Sequence, residues 1–146
     1  MKLFTVGHTR KPLRRFVALL REAGVDCVVD VRLHNTSQLA GFAKRDDLEF
    51  LLREGFGVGY AHHPELAPTE EILGRYKRDR NWEAYVSAFT ALMEERGMAA
   101  HAAEVLGAYS CPCLLCSEDD PRRCHRRLLA EAVAASRGDT EVIHLR

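Results

Sequence analysis

Short apolar runs alternate along this chain with stretches whose apolar residues recur three and four positions apart. Leu3 to Val6 is a run of the first kind and reads as a strand. Pro12 suits a first helical position. Leu13, Phe16, Val17 and Leu20 follow at helical spacing, and Gly24 terminates the pattern. Cys27-Val28-Val29-Asp30-Val31 predicts a second strand, apolar enough to be buried on both faces. Asp46 or Asp47 is expected to cap a helix carrying Leu48, Leu51 and Leu52 and closed by Gly55. Val58 to His62 is a weaker strand, and Thr69 to Arg78 a short polar helix. Asn81 caps a longer helix with Trp82, Tyr85, Val86, Phe89, Leu92 and Met93 on one stripe, ending near Gly97. Met98 to Leu106 reads as an Ala-rich helix, Cys111 to Ser117 as a fourth strand, Pro121 to Ser136 as a helix and Glu141 to Leu145 as a last strand. No repeat, low-complexity tract or linker interrupts the series.

Strands that alternate with helices predict a single three-layer α/β domain over residues 1–146. Its sheet is mostly parallel, of about five strands, with helices on both faces. Such sheets bind ligands at the carboxyl ends of their strands. The chemically loaded residues fall there: Gly7-His8-Thr9, then Asp30 with Arg32, then His62-His63-Pro64-Glu65, then Cys116-Ser117-Glu118. Four polar clusters at four strand ends are expected to converge on one rim.

Composition narrows the partners. With 21 basic and 21 acidic residues there is no global field for nucleic acid or an anionic membrane, so any anion site must be local. The basic runs at Arg10-Lys11, Arg14-Arg15, Arg75 to Arg80 and Arg122 to Arg127 alternate with acids and lack interleaved aromatics. They give nucleic-acid binding weak support. No apolar stretch approaches ~18 residues, and the first residues hold too short an apolar run for a signal peptide. The expected location is cytoplasmic. There the five cysteines, four of them late in the chain, imply reduced thiols or a metal site, not a disulfide framework.

The densest chemistry lies in Cys116-Ser117-Glu118-Asp119-Asp120-Pro121-Arg122-Arg123-Cys124-His125-Arg126, at a strand-to-helix turn. Leu128, Leu129, Ala132 and Val133 define the apolar face of the following helix, so Cys124 and His125 continue that stripe and Arg126 points elsewhere. Cys116 faces a helix N-terminus, which favours a thiolate, and His125 or His8 could act as base. Three nearby acids oppose this by raising a thiol pKa, and a buried structural Cys116 is the competing reading. Cys116-x5-Arg122 matches a phosphatase-loop spacing, but three acids occupy a loop that needs free amides. His63-Pro64-Glu65 with Pro112-Cys113-Leu114-Leu115-Cys116 reproduces zinc-deaminase elements. Those elements must open helices, whereas Cys113 and Cys116 lie three apart on a strand and point to opposite faces. A different metal site, drawn from Cys116, Cys124, His125 and His8 and holding a metal such as zinc, fits the spacing better.

Thr5-Val6-Gly7-His8-Thr9, Val29-Asp30-Val31-Arg32 and Cys116-Ser117-Glu118 with Cys124-His125-Arg126 together resemble the marks of the family catalogued as domain of unknown function 488. Asn35-Thr36-Ser37-Gln38-Leu39-Ala40-Gly41-Phe42 and Pro64-Glu65-Leu66-Ala67-Pro68-Thr69 fit it as well. The resemblance covers nearly the whole chain. It implies the α/β fold and the strand-end site and leaves the reaction open.

The leading expectation is an enzyme acting on a small anionic, phosphorylated or nucleotide-like, molecule. Cys116 is its nucleophile or a metal ligand, His8 and His125 its acid/base candidates, and Glu118 an orienter or base. Arg32 and Arg126 are read as anion clamps, Asp30 as the residue that orients Arg32 or His8, and Thr9 and Ser37 as substrate-side hydroxyls. A non-catalytic metal or ligand sensor in the same pocket is the alternative. A third reading is a protein or nucleic-acid interaction module in which the charges form a structural network.

Overall fold

The computed structural model describes residues 1–146. Five strands, β1 (Lys2–Gly7), β2 (Cys27–Asp30), β3 (Gly59–His62), β4 (Pro112–Cys116) and β5 (Glu141–Leu145), form one sheet in the order β3-β2-β4-β1-β5. Every pairing is parallel. Six helices connect and cover it: α1 (Leu13–Glu22), α2 (Arg45–Phe50), α3 (Glu70–Asp79), α4 (Trp82–Arg96), α5 (Met98–Leu106) and α6 (His125–Arg137).

Strand alternation sends neighbouring residues to opposite faces and builds two cores. Leu3, Cys27, Val29 and Leu114 pack under α4, α5 and α6 with Phe89, Met98, Ala102 and Leu129. Phe4, Val6, Val28, Cys113 and Leu115 pack under α1 and α2 with Phe16, Leu20, Leu48 and Leu52. Chain path and core therefore agree on helices above and below one sheet. Because β1 leads leftward to β2 and β4 leads rightward to β5, the loops after β1 and β4 part to opposite faces. This is the crevice where doubly wound sheets take ligands.

The caps at Thr69 and Asn81 form as their residue types dictate: their side chains accept from the amides of Ile72 and Ala84. Asp46 and Asp47 do not cap α2. They sit in its first turn behind Lys44, where a carboxylate still favours the helix dipole. The segment Leu51–Gly55 continues α2 as a π-helical turn.

The last helix differs most from expectation. Pro121–Arg123 is a separate 3-10 turn whose first amide is capped by Asp120, and Cys124 is extended at φ −138°. The α-helix starts at His125, with Cys124 at the N-cap. Its buried stripe is Arg126, Leu129, Ala130 and Val133, spaced at i, i+3, i+4 and i+7. Arg126 therefore points into the protein, correcting the expectation that it points away.

Candidate active site

Cys116 is the last residue of β4 and faces the α6 side of the sheet, while Cys113 in the same strand faces α1. Extended Cys124 and the first turn of α6 then fold over the strand end. The donor atoms of Cys116, Cys124 and His125 all lie within 4.8 Å of one another, and all three residues are buried. Cys116 Sγ is 3.6 Å from His125 Nδ1. His125 Nε2 is 2.8 Å from the Val31 carbonyl oxygen. A carbonyl only accepts, so Nε2 carries a proton and Nδ1 is the ring nitrogen that faces the Cys116 sulfur. Phe89 packs edge-on against that imidazole with ring centroids 5.5 Å apart and fixes its plane.

The two thiols divide their ionisation. A hydrogen bond from Cys124 is the largest influence on Cys116; with the charge of Arg126 and the Ser117 amide it outweighs burial and lowers the Cys116 thiol below the usual range. The same bond, with burial, pushes Cys124 far up. Of the three acids expected to oppose a thiolate, Asp119 and Asp120 are engaged elsewhere, whereas Glu118 lines the cavity that opens over Cys116. Asp119 bonds Lys11 at 2.6 Å and Arg146 at 3.2 Å, and Asp120 bonds Arg122.

A cavity of about 290 Å³ opens over Cys116. Its floor is Cys116, Cys124 and His125, its β2 side Arg32 to His34, and its outer wall α3 and the start of α4, through Tyr76, Lys77, Arg80 and Tyr85. Ser117, Glu118 and Arg123 complete the mouth. Arg32, Lys77, Arg80 and Arg123 face Glu118 as the single lining carboxylate, so the lining is net positive although the chain is neutral. Arg80 closes α3 in the left-handed region at φ 52° and lies 5.7 Å from the centroid of the Tyr76 ring. The wall formed by α3 carried no motif. Only the polar character of that helix and its cluster of Lys77, Arg78 and Arg80 were there to signal it.

The remaining expected residues separate from this cavity. Asp30 lies on the α1 side of the sheet, fully buried, and its carboxylate binds Arg32 through Nε at 2.8 Å and Nη2 at 2.7 Å. It also accepts from Asn35 at 3.1 Å and Tyr60 at 2.5 Å. Arg32 thus reaches the cavity wall as half of a buried ion pair. Arg126 is fully buried and is no cavity clamp: it donates to Thr5 Oγ1 at 3.2 Å, to the Asp119 carbonyl at 3.1 Å and to the Glu118 carbonyl. Thr9 Oγ1 donates to the Ser117 carbonyl at 2.8 Å, and Ser37 accepts from the Leu39 amide, so both serve loop geometry outside the cavity. Glu65 pairs with both His63 and His101, away from the thiols. The four strand-end clusters therefore do not converge at one point.

His8 also lies across the sheet from Cys116, near Asp30 and Arg32. Burial, reinforced by the Arg32 guanidinium, lowers its imidazole to about 4. Between pH 6.5 and 4 the unfolded chain takes up a proton that the folded chain refuses, so His8 costs stability as pH falls through that window. An NMR titration should find one imidazole with a midpoint near 4 that vanishes in His8→Asn. A midpoint near the ordinary value of about 6.5 would contradict this burial.

Fold and site together define a doubly wound α/β protein with a thiol–imidazole pair at the carboxyl edge of its sheet. The family described as "Domain of unknown function DUF488" matches residues 12–133, and the chain belongs to that family. Neither a curated protein nor a solved structure matches the chain. No helix is long and apolar enough to cross a membrane.

Proposed function

We propose that this protein is an enzyme that acts on a small anionic molecule through the Cys116 thiolate. The observation that carries the reading is the line Cys116 Sγ, His125 Nδ1, His125 Nε2 and the Val31 carbonyl, which is the nucleophile–base–orienter order. Nδ1 takes the thiol proton, sulfur gives its electron pair to the electrophilic centre, the bond to the leaving group breaks and that group recovers the proton from Nδ1; water then displaces the sulfur from the adduct, and its proton returns through Nδ1 to the thiol. Lys77, Arg80 and Arg123 at the mouth attract the anion, and the partly exposed Tyr76 ring gives it one apolar wall. Glu118, at the mouth, is an orienter of that substrate. A cytoplasmic setting suits five unpaired thiols.

Alkylation tests both halves of the reading. The Cys116 rate should level off at a lower pH than that of an ordinary thiol of pKa about 8.5, and Cys116→Ser should abolish it. Anionic iodoacetate should gain on neutral iodoacetamide relative to a free thiol. Salt, or Lys77→Gln with Arg80→Gln, should cancel that gain. A Cys116 that reacts only after unfolding would refute the reading.

One observation favours a second reading. Two thiols and an imidazole within 4.8 Å match the donor set of zinc sites that keep a fourth position open, here toward the cavity. Elemental analysis of tag-free wild type and Cys116→Ser separates the two: one equivalent of metal lost in the variant supports coordination, and none in the wild type supports the thiolate.

A further inference from the structure

A second cluster of metal-ligating side chains lies outside the cavity, and the proposed function leaves it unused. His63 follows β3, Glu65 lies in the 3-10 turn Pro64–Leu66, and His101 comes from the first turn of α5. Glu65 Oε2 is 3.0 Å from His63 Nδ1 and 2.9 Å from His101 Nε2, and all three donor atoms fall within 4.8 Å of one another. We propose that His63, Glu65 and His101 form a binding site for a divalent transition-metal ion of the zinc class.

The spacing is that of ligands around one ion. Two donors each about 2.1 Å from a metal stand about 3.0 Å apart at a right angle and about 3.4 Å apart at a tetrahedral angle. An ion that replaces the two ring protons needs little movement of the three side chains. Two imidazoles and one carboxylate suit zinc and its neighbours and disfavour magnesium and calcium, which take all-oxygen shells.

The backbone presents the three ligands before any ion arrives. The His63 amide donates to the Asp30 carbonyl at 2.9 Å, which ties it to the sheet. Pro64 fixes the turn, and Leu66, fully buried, anchors its far side. Arg96 donates to the carbonyls of Glu65 and Ala67 at 3.1 and 3.3 Å, so one cation stands close by and weakens the field for a second. Glu65 and His101 are nearly half exposed, which leaves the remaining coordination positions to water or to a ligand from solution. Bound metal would fasten the end of β3 to α5.

Zinc titration of chelator-stripped, tag-free protein tests the site, with Cys116→Ser/Cys124→Ser as background so that the thiol cluster takes no metal. One equivalent should bind, and His101→Ala or Glu65→Gln should weaken it by more than about tenfold. Cobalt added to the wild-type chain gives a check that needs no thiol variant. His101→Ala should remove visible d–d bands that carry no sulfur-to-metal charge transfer. Zinc uptake absent from the thiol-free background, or unchanged by His101→Ala, would overturn the proposal.

Discussion

Asp30→Asn is expected to destabilise the folded protein by about 3–5 kcal/mol, read as a fall in the urea midpoint at unchanged slope. Its carboxylate accepts from Arg32 through the backbone amide, Nε and Nη2, and from Asn35 and Tyr60. An amide in its place is neutral and turns an N–H₂ toward donors, which leaves the Arg32 guanidinium buried without its counter-charge. Tyr60→Phe removes one donor and should cost only about 1 kcal/mol. Burial alone would raise the Asp30 carboxyl, but the Arg32 bonds and charge, helped by Tyr60, hold it below the usual range. Its contribution is complete above the unfolded carboxyl pKa of about 3.9 and is lost as pH falls through the lower folded value. The acid limb of the stability curve should accordingly flatten in Asp30→Asn. A variant with the wild-type midpoint would show that the pair contributes nothing net.

Gly7→Ala is expected to cost about 3 kcal/mol, the upper end for overpacking. A Cβ at position 7 would overlap the Glu118 carbonyl and the Asp119 Cα, both backbone, so no side chain can turn aside to admit it. Gly7 has an ordinary φ, and the demand is for space. The loop after β4 lies across the end of β1 and is tied down there: Lys11 bridges the Gly7 carbonyl and Asp119 at 2.6 Å each, and Arg126 holds the Glu118 and Asp119 carbonyls. The added methyl must lift that loop, which also brings Cys124 and His125 to Cys116. Cys116 should therefore alkylate with the pH profile of an ordinary thiol in the folded variant. A thermal midpoint and alkylation profile matching wild type would disprove the close approach.

Much of this architecture was legible in local pattern. Leu3 to Val6 and Cys27 to Val31 read as strands because consecutive apolar residues suit a sheet covered on both faces. Thr69 and Asn81 announced their helices because a side-chain oxygen beside an orphan amide is a local interaction. Arg126 was misread because Leu128 and Ala132 are apolar yet only half-buried, and the true stripe runs one position away through Arg126, Leu129 and Val133. The break at Cys124 was hidden because Pro121 is as good at opening a 3-10 turn as an α-helix. Cys116 and His125 were visible as chemistry, but their contact through Nδ1 depends on a ring orientation set by the distant Val31 carbonyl and Phe89. The wall of Tyr76, Lys77 and Arg80, and the meeting of His101 with Glu65, arise only from packing between elements far apart in sequence.

The central position of β4 has a kinetic consequence. β1 and β2 never touch each other, and both use β4 as partner, so Phe4 waits for Cys113 and Val28 for the same residue. The other neighbour of β1 is β5, which is made later still. During synthesis at about 5–20 residues per second, two apolar strands stay open-edged until residues 112–116 emerge. Pairings of such long sequence separation are slow to nucleate. The chain therefore leaves the ribosome with its most aggregation-prone surfaces exposed longest, and its yield in the cell should depend on chaperones that shield strand edges.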